Sequence, residues 1–475
     1  MAAEKPPQAL PLSTEVNADK QAWPLLRAER TWSAWQLYIA LTAAAAATWC
    51  YIIGEYVGFY LNFPRGFAAL LAGGMIGMLL ATLAVVPVCM RFGVDSIATT
   101  KPQFGSKGWM LPAILQLLSI IGWNSILLIF FGKSVAQLSI AVGILDEGQT
   151  APVVSGAALF ACSVVFLILL GGARNIERVT KVLVLHVFAG LWMLYLLVST
   201  RWPELVNATP SAAMPDKFYN FTTGVEIGLV SLLSWWPYIG AMVRMAPDGR
   251  SAALPVMLGM GAPVPLLSLI GLAGVLVLQS SDPAQWLRTV GGPTYGVIAL
   301  LFVGAANLGT TMAGIYASAI GLRHIPGLER LGWPWLLFIT ILPVALVGLL
   351  IPELFFASFG MFLAFIGVGF APLCGIQITD YYVLRRGRVD VRGLFEDKPQ
   401  SAYRYWGGFN IAALIAMAAG VMIYLYLLNP VTYEARWPYQ FVTASLPSAL
   451  GAAIVYWVVT RLLVIPAGHG AYRKL

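Results

Sequence analysis

A chain that crosses bilayer hydrocarbon has to pair every backbone N–H and C=O within the protein, and only helices and closed barrels do so. This sequence has the pattern of the helix. Taken as apolar runs of about 20 residues, it holds twelve candidate spans, roughly 33–61, 66–90, 109–141, 152–171, 179–199, 222–245, 252–278, 294–321, 333–351, 354–384, 406–428 and 441–464. With 59% hydrophobic and 11% charged residues, the chain lies far outside the soluble globular range. The expected fold class is an all-α polytopic membrane protein with 12 transmembrane helices.

The basic residues alternate along this frame. Lys5, Lys20, Arg27 and Arg30 precede span one; Arg91, Lys101 and Lys107 follow span two; Arg174, Arg178 and Lys181 follow span four. The pattern continues with Arg244 and Arg250, Arg323 and Arg330, the group Arg385, Arg386, Arg388, Arg392, Lys398 and Arg404, and finally Arg461, Arg473 and Lys474. Only Arg65, Arg201, Lys217, Arg288 and Arg436 fall on the other side, with Lys133 inside a span. The positive-inside rule then puts both termini in the cytoplasm of a cell-membrane protein. A formal charge of +8 spread this way forms no nucleic-acid patch. The first 32 residues carry no cleavable signal, so the first span is expected to serve as the targeting segment. Cys50, Cys89, Cys162 and Cys374 all sit in apolar runs without a CxxC pair, which argues against a disulfide framework or a metal centre.

Span six contains Ser234-Trp235-Trp236-Pro237-Tyr238-Ile239-Gly240. Proline removes a helical hydrogen bond and crowds the preceding turn, so the span is predicted to break there, and a break at that depth has to face protein or a watery cavity. Thr48-Trp49-Cys50-Tyr51-Ile52-Ile53-Gly54 in span one matches it: a hydroxyl, a tryptophan, and a glycine five residues after that tryptophan. Interrupted helices at corresponding positions of two halves point to the midplane site of a secondary transporter.

A rise of about 1.5 Å per residue puts Trp49, Trp123, Trp235, Trp236 and Asn307 near mid-bilayer. Tryptophan normally collects at membrane interfaces. At mid-depth these rings either fill space between helices or sandwich a planar ligand. Asn124 and Ser125, directly after Trp123, need partners at the same depth. Among ionisable groups inside spans, Glu55 follows the expected break at Gly54 and is a candidate gate or coupling group. Lys133 either pairs with Glu55 or snorkels outward. His186 reads as a core residue, Glu226 as half-solvated near the outer end of span six, and Asp380 as an ion-pair partner for the arginines after span ten. The Arg385–Arg388 run reads as a lipid head-group anchor.

Two further stretches carry a family resemblance. Residues 91–132, with Phe92-Gly93-Val94-Asp95, Gln103-Phe104-Gly105-Ser106-Lys107-Gly108, Leu111-Pro112 and Ile121-Gly122-Trp123, resemble the nucleobase:cation symporter family 1, the permeases for cytosine, purines, uracil, allantoin, hydantoin and thiamine. Thr379-Asp380-Tyr381-Tyr382 through Arg385-Arg386-Gly387-Arg388-Val389-Asp390-Val391 resembles the family's second signature. The resemblance implies a 5+5 inverted-repeat (LeuT-like) transporter fold with helices one and six broken. The repeats would span residues 33–199 and 222–384, followed by a basic loop (385–405), two added helices (406–464) and a cytoplasmic tail (465–475), with residues 1–32 as the N-terminal tail. It further implies that Trp123 and either Trp235 or Trp236 stack on a heterocycle whose edge is read by amides. Many members carry Gln four residues after the third-helix tryptophan. Here that place is Leu127, with Asn124 as the polar alternative.

In sodium-driven relatives, carbonyls freed by the first break join a hydroxyl pair just before an Asn of helix eight. Aligning Asn307 with that Asn puts Ala305 and Ala306 in the hydroxyl places; a shifted register brings in Thr310 and Thr311. The first alignment favours a proton carried by Glu55, the second sodium, and the resemblance leaves both open. The expected function is cation-coupled import of a planar nitrogen heterocycle, with no cofactor beyond the coupling ion and a monomer as the expected state. The alternative is a same-fold carrier of an amino acid, thiamine-type vitamin or other small solute. An intramembrane enzyme would need a Ser/His set or an HExxH zinc site, and the sequence has neither. A receptor would have no use for two broken helices.

Overall fold

The computed structural model describes residues 24–45, 47–172, 186–247, 253–279, 282–325, 327–395 and 401–472. Of the residues read above, Lys5, Lys20, Arg174, Arg178, Lys181, Arg250, Lys398, Arg473, Lys474 and the His186 side chain lie outside the described set.

The described chain is helical throughout. In order it forms α1 (Ala34–Ala45), α2 (Trp49–Gly58), α3 (Phe63–Phe92), α4 (Met110–Ala141), α5 (Thr150–Leu169), α6 (His186–Asn207), α7 (Lys217–Leu233) and α8 (Trp236–Val243). There follow α9 (Ala253–Gly261), α10 (Pro263–Leu278), α11 (Val297–Leu322), α12 (Trp333–Leu350), α13 (Phe359–Ile378), α14 (Ile411–Leu427) and α15 (Ser445–Val459). Nine helical segments among the described residues are long and apolar enough to cross a membrane, and the bent pair α1–α2 makes a tenth. The shorter apolar helix α14 and helix α6 occupy the two remaining places in the twelve-span frame. Helix α6 runs farther outward than the apolar run suggests, to Asn207, with a kink at Arg201 two residues before Pro203.

Local sequence sets the helix ends. Asn62 and Asp216 cap α3 and α7 with side-chain oxygens, and Gly93 ends α3 at φ +71°, a left-handed turn that glycine takes without strain. Packing then follows a repeated scheme: α2 lies along α10 and α7 along α3, while α4 pairs with α11 and α5 with α12. Exchanging spans one to five with spans six to ten maps this scheme onto itself. The tightest joint is α2 against α10, where a Cβ on Gly54 would lie 1.7 Å from the Ser268 carbonyl oxygen and one on Gly271 1.8 Å from that of Tyr51.

The two signature stretches of the sequence meet at the basic end of the bundle. Gln103 Nε2 donates to Asp380 Oδ2 at 2.9 Å, and Arg385 Nε donates to the same oxygen at 2.7 Å. Arg385 also donates to the Pro102 carbonyl (3.0 Å) and the Gly470 carbonyl (2.7 Å) and lies over the Tyr472 ring at 4.1 Å. Asp380 is thus the ion-pair partner the sequence suggested. Arg385 is fully buried and is no lipid anchor; Arg386 and Arg388 remain exposed. A buried guanidinium is tolerated here because every face of it meets an acceptor or an aromatic ring.

Candidate functional site

The break in the first span falls between Ala45 and Trp49, and the axes of α1 and α2 differ by 57°. Span six is interrupted at Ser234 and Trp235, and Pro237 sits in the first turn of α8, where its missing N–H leaves no helical bond unmade. Both interruptions are closed by polar groups from elsewhere. The backbone N–H and hydroxyl of Thr48 donate to Asn307 Oδ1 at 3.2 and 2.8 Å. At span six, the Ser96 hydroxyl donates to the Trp236 carbonyl (2.8 Å) and accepts from the Gly240 N–H (3.2 Å).

Between the breaks lies a small cavity lined by Trp49, Trp123, Leu127, Trp235, Tyr238 and Thr310. Its rings interlock: Trp49 meets Trp123 edge-on (centroids 5.5 Å, 75°) and lies tilted against Trp235 (5.5 Å, 44°), which stacks obliquely on Tyr238 (4.7 Å, 42°). Phe359 and Phe362, at the start of α13, close on Trp123 at 5.2 and 5.9 Å. The free space is about 10 Å³, room for about one water molecule. The side chains therefore have to separate before a heterocycle can enter.

The sequence-derived candidates sort clearly. Trp49, Trp123 and Trp235 converge on the cavity, and Asn307 supports the break beside it. Trp236 faces away, its indole N–H bound to Gln377 Oε1 at 2.6 Å and its ring against Phe370, because consecutive helical residues point about 100° apart. Asn124 is buried outside the cavity lining, its amide against Gly314 of α11. Gly54 lies inside α2, where its missing side chain admits α10, so the break is about six residues nearer the N-terminus than expected. Glu55 is buried, about 10 Å along the chain axis from Thr48. Lys133 pairs with Asp282 (3.3 Å) and Glu353 (3.7 Å) rather than with Glu55. Glu226 is fully buried, accepting from the Ser445 hydroxyl at 2.6 Å and from the Ala444 and Ser445 N–H groups at the start of α15, so it is not half-solvated. Tyr238 was overlooked; its signal is the spacing of three from Trp235, which puts both rings on one helix face.

Around the first break the oxygens gather. Thr310 Oγ1 donates to the Ala44 carbonyl at 3.3 Å, and the buried Thr311 hydroxyl has no partner among the described residues. At the basic end, Asp95 and His324 form a buried contact at 3.0 Å. Burial pushes the Asp95 carboxyl up, but the His324 imidazole and the Arg244 guanidinium outweigh it and hold the group below the usual carboxylate range.

Residues 24–458 match the family model described as "Permease for cytosine/purines, uracil, thiamine, allantoin". The chain belongs to this family. The permease is thus a multi-pass membrane transporter and not an enzyme. It is 22% identical over 450 residues to a purine-uracil permease of Arabidopsis thaliana, covering 87% of this chain and 72% of that one. It is 23% identical over 354 residues to the cytosine permease of Escherichia coli (strain K12), covering 73% and 77% of the two chains. Among solved structures, the permease superposes on the inward-facing conformation of Mhp1 with a TM-score of 0.76 at 17% identity, covering 93% of this chain and 94% of that one. A closed form of Mhp1, a nucleobase-cation-symport-1 family transporter with bromovinylhydantoin bound, gives 0.72 at 19% identity, covering 93% and 96%. These likenesses show the inverted-repeat transporter fold.

Proposed function

We propose that the permease imports a planar nitrogen heterocycle, a nucleobase or a hydantoin- or allantoin-like ring, by cation-coupled alternating access across the cell membrane. The observation that carries this reading is the cluster of Trp49, Trp123 and Trp235 in one cavity at two interrupted helices. Aromatic faces at mid-depth suit a flat, weakly hydrophobic ring that an aliphatic pocket would hold without orientation. The names of the curated relatives, purine-uracil and cytosine permeases, agree with it. The repeats are assigned to residues 33–199 and 222–384, in keeping with the paired packing scheme, with both termini on the cytoplasmic side and the monomer as the working unit.

For the coupling ion the geometry favours sodium. A hard cation takes oxygen ligands, and the Thr310 hydroxyl already lies within 3.3 Å of the Ala44 carbonyl beside the unpartnered Thr311 hydroxyl. This supports the shifted register. Asn307 is engaged with Thr48, and Glu55 lies away from the break, which weakens the case for Glu55 as proton carrier. The test is uptake of labelled cytosine, uracil, hypoxanthine, allantoin and hydantoins, with and without sodium, at two pH values. Absence of uptake and binding for every heterocycle sinks the reading, and pH-driven, sodium-independent uptake sinks the ion assignment.

A further inference from the structure

The short helix α8 is held on three sides, and the three joints differ in kind. On the first, Gly240 presses onto the 91–107 loop so closely that a Cβ there would overlap Ser96, and the Ser96 hydroxyl closes the joint on the Trp236 carbonyl. On the second, the Trp236 indole donates to Gln377 of α13, whose Nε2 donates in turn to Thr99 Oγ1 of the same loop at 2.9 Å. Hydrogen bonds thus fasten α8 to the loop and to α13. The third side faces α11, and there the Tyr238 ring sits in a notch left by Gly314, where a Cβ would lie 2.9 Å from Tyr238 Cε1. The notch has no slack, since the same Cβ would lie 2.7 Å from both amide atoms of Asn124. A ring edge against a glycine is a dispersion contact, short in range and without a directional bond. At the level of the cavity it is the joint that costs least to part.

Its position makes Tyr238 the wall of the cavity toward the basic end. Tyr238 lies three residues, about 4–5 Å of helix, nearer that end than Trp235, and Gly314 lies four residues, about 6 Å, nearer it than Thr310. Trp235, Tyr238 and Thr310 all line the cavity, and Tyr238 is 3% exposed. Beyond it, two further contacts join the same two bodies. Arg244, at the end of α8, donates to the Tyr316 hydroxyl of α11, and Asp95 of the loop meets His324, just past the end of α11, at 3.0 Å. The closure therefore runs from an aromatic contact at the cavity to polar and ionic contacts at the basic end.

We propose that Tyr238 is the inward gate of the cavity: seated against Gly314 it shuts the ring site from the cytoplasm, and it leaves its seat when α8 and the 91–107 loop move away from α11 together. The proposal rests on the transport reading above. It gives Tyr238 a task separate from that of Trp49, Trp123 and Trp235, whose faces meet the ligand. The ring moves with α8 because the backbone on either side of it is tied to Ser96 at Trp236 and Gly240.

The experiment uses full-length protein with the four native cysteines replaced by alanine and Ser318→Cys added as a reporter. Ser318 is buried on the Gly314 face of α11, one turn nearer the basic end. A membrane-impermeant thiol reagent is applied to right-side-out and inside-out vesicles. Against this parent, Tyr238→Ala should be labelled at least tenfold faster from the cytoplasmic face, and Gly314→Ala, whose methyl pushes the ring from its seat, at least threefold faster. Tyr238→Phe keeps the ring and should be labelled at the parent rate. Labelling from the outer face should stay at the parent rate in every variant. An unchanged cytoplasmic rate in Tyr238→Ala, a rise shared equally by both faces, or a Tyr238→Phe protein that behaves like Tyr238→Ala overturns the gate. None of these readouts needs a substrate. A wild type that neither binds nor takes up any heterocycle defeats the transport reading, while the labelling still decides whether Tyr238 closes the inward side.

Discussion

Replacing Gly54 by alanine separates a packing role from an ion-coupling role for the residue that ends the first repeated motif. The added methyl would be placed 1.7 Å from the Ser268 carbonyl oxygen, 2.7 Å from the Ser268 carbonyl carbon and 2.8 Å from the Leu272 nitrogen. All three are backbone atoms, so no rotamer change relieves the clash. To restore even a tight 3 Å contact, α2 and α10 have to part by roughly 1 Å along much of their shared length, and overpacking of this kind costs typically 1–3 kcal/mol. Gly271→Ala, which meets the Tyr51 carbonyl from the other side at 1.8 Å, should cost about as much. Since both variants strain the same joint, the double variant should fall short of additivity. The assay is thermal unfolding of detergent-solubilised protein, paired with equilibrium binding of the transported heterocycle at several sodium concentrations to the folded fraction. Lower stability with unchanged sodium dependence is expected. A Gly54→Ala protein as stable as wild type that has lost its sodium dependence would refute the packing argument.

Trp123→Ala removes one wall of the cavity and should weaken heterocycle binding by a few kcal/mol, roughly 10- to 100-fold or more, with membrane expression retained; unchanged affinity would return Trp123 to a packing role. Trp235→Ala should behave likewise, whereas Trp236→Ala should lower stability through the lost Gln377 bond and leave affinity nearly intact, as ligand titration and thermal unfolding can distinguish. The double change Thr310→Ala/Thr311→Ala should abolish sodium stimulation of uptake, while Glu55→Gln leaves it in place; survival of sodium stimulation in the first variant removes the threonines from the ion site. Asp95→Asn should destabilise the protein by roughly 1–3 kcal/mol at pH 7 by leaving His324 and Arg244 without their carboxylate. Because that carboxyl is held below its ordinary value of 3.8, its contribution is complete above about pH 4 and is lost only as the pH falls further, so the gap to wild type in a melting series should persist down to that range.

The sequence by itself determined the frame. Apolar runs long enough for hydrocarbon, with basic residues in alternate loops, leave one class of fold, because backbone pairing inside a bilayer admits little else. The interruption of span six was legible as well, since Pro237 cannot donate a helical hydrogen bond, although Pro87, Pro343 and Pro372 sit inside unbroken helices. So was the common level of Trp49, Trp123 and Trp235, which follows from counting residues along a rigid rise and agrees with their shared cavity. Which of two adjacent indoles faces the cavity was not legible: Trp235 and Trp236 differ only in the rotation at which α8 resumes, and contacts with Ser96, Gln377 and Phe370 fix that rotation. Gly54 looked like part of a break because glycine serves both flexible turns and close approaches, and only the position of α10 shows it to be the latter. The burial of Glu226 and the partners of Lys133 were not legible for the same reason. The partners that make their burial tolerable, Ser445 on α15 for one and Asp282 and Glu353 for the other, are more than a hundred residues away in sequence. Charge and hydropathy decide how deep a side chain lies, but its role depends on groups that only tertiary packing brings within hydrogen-bond reach.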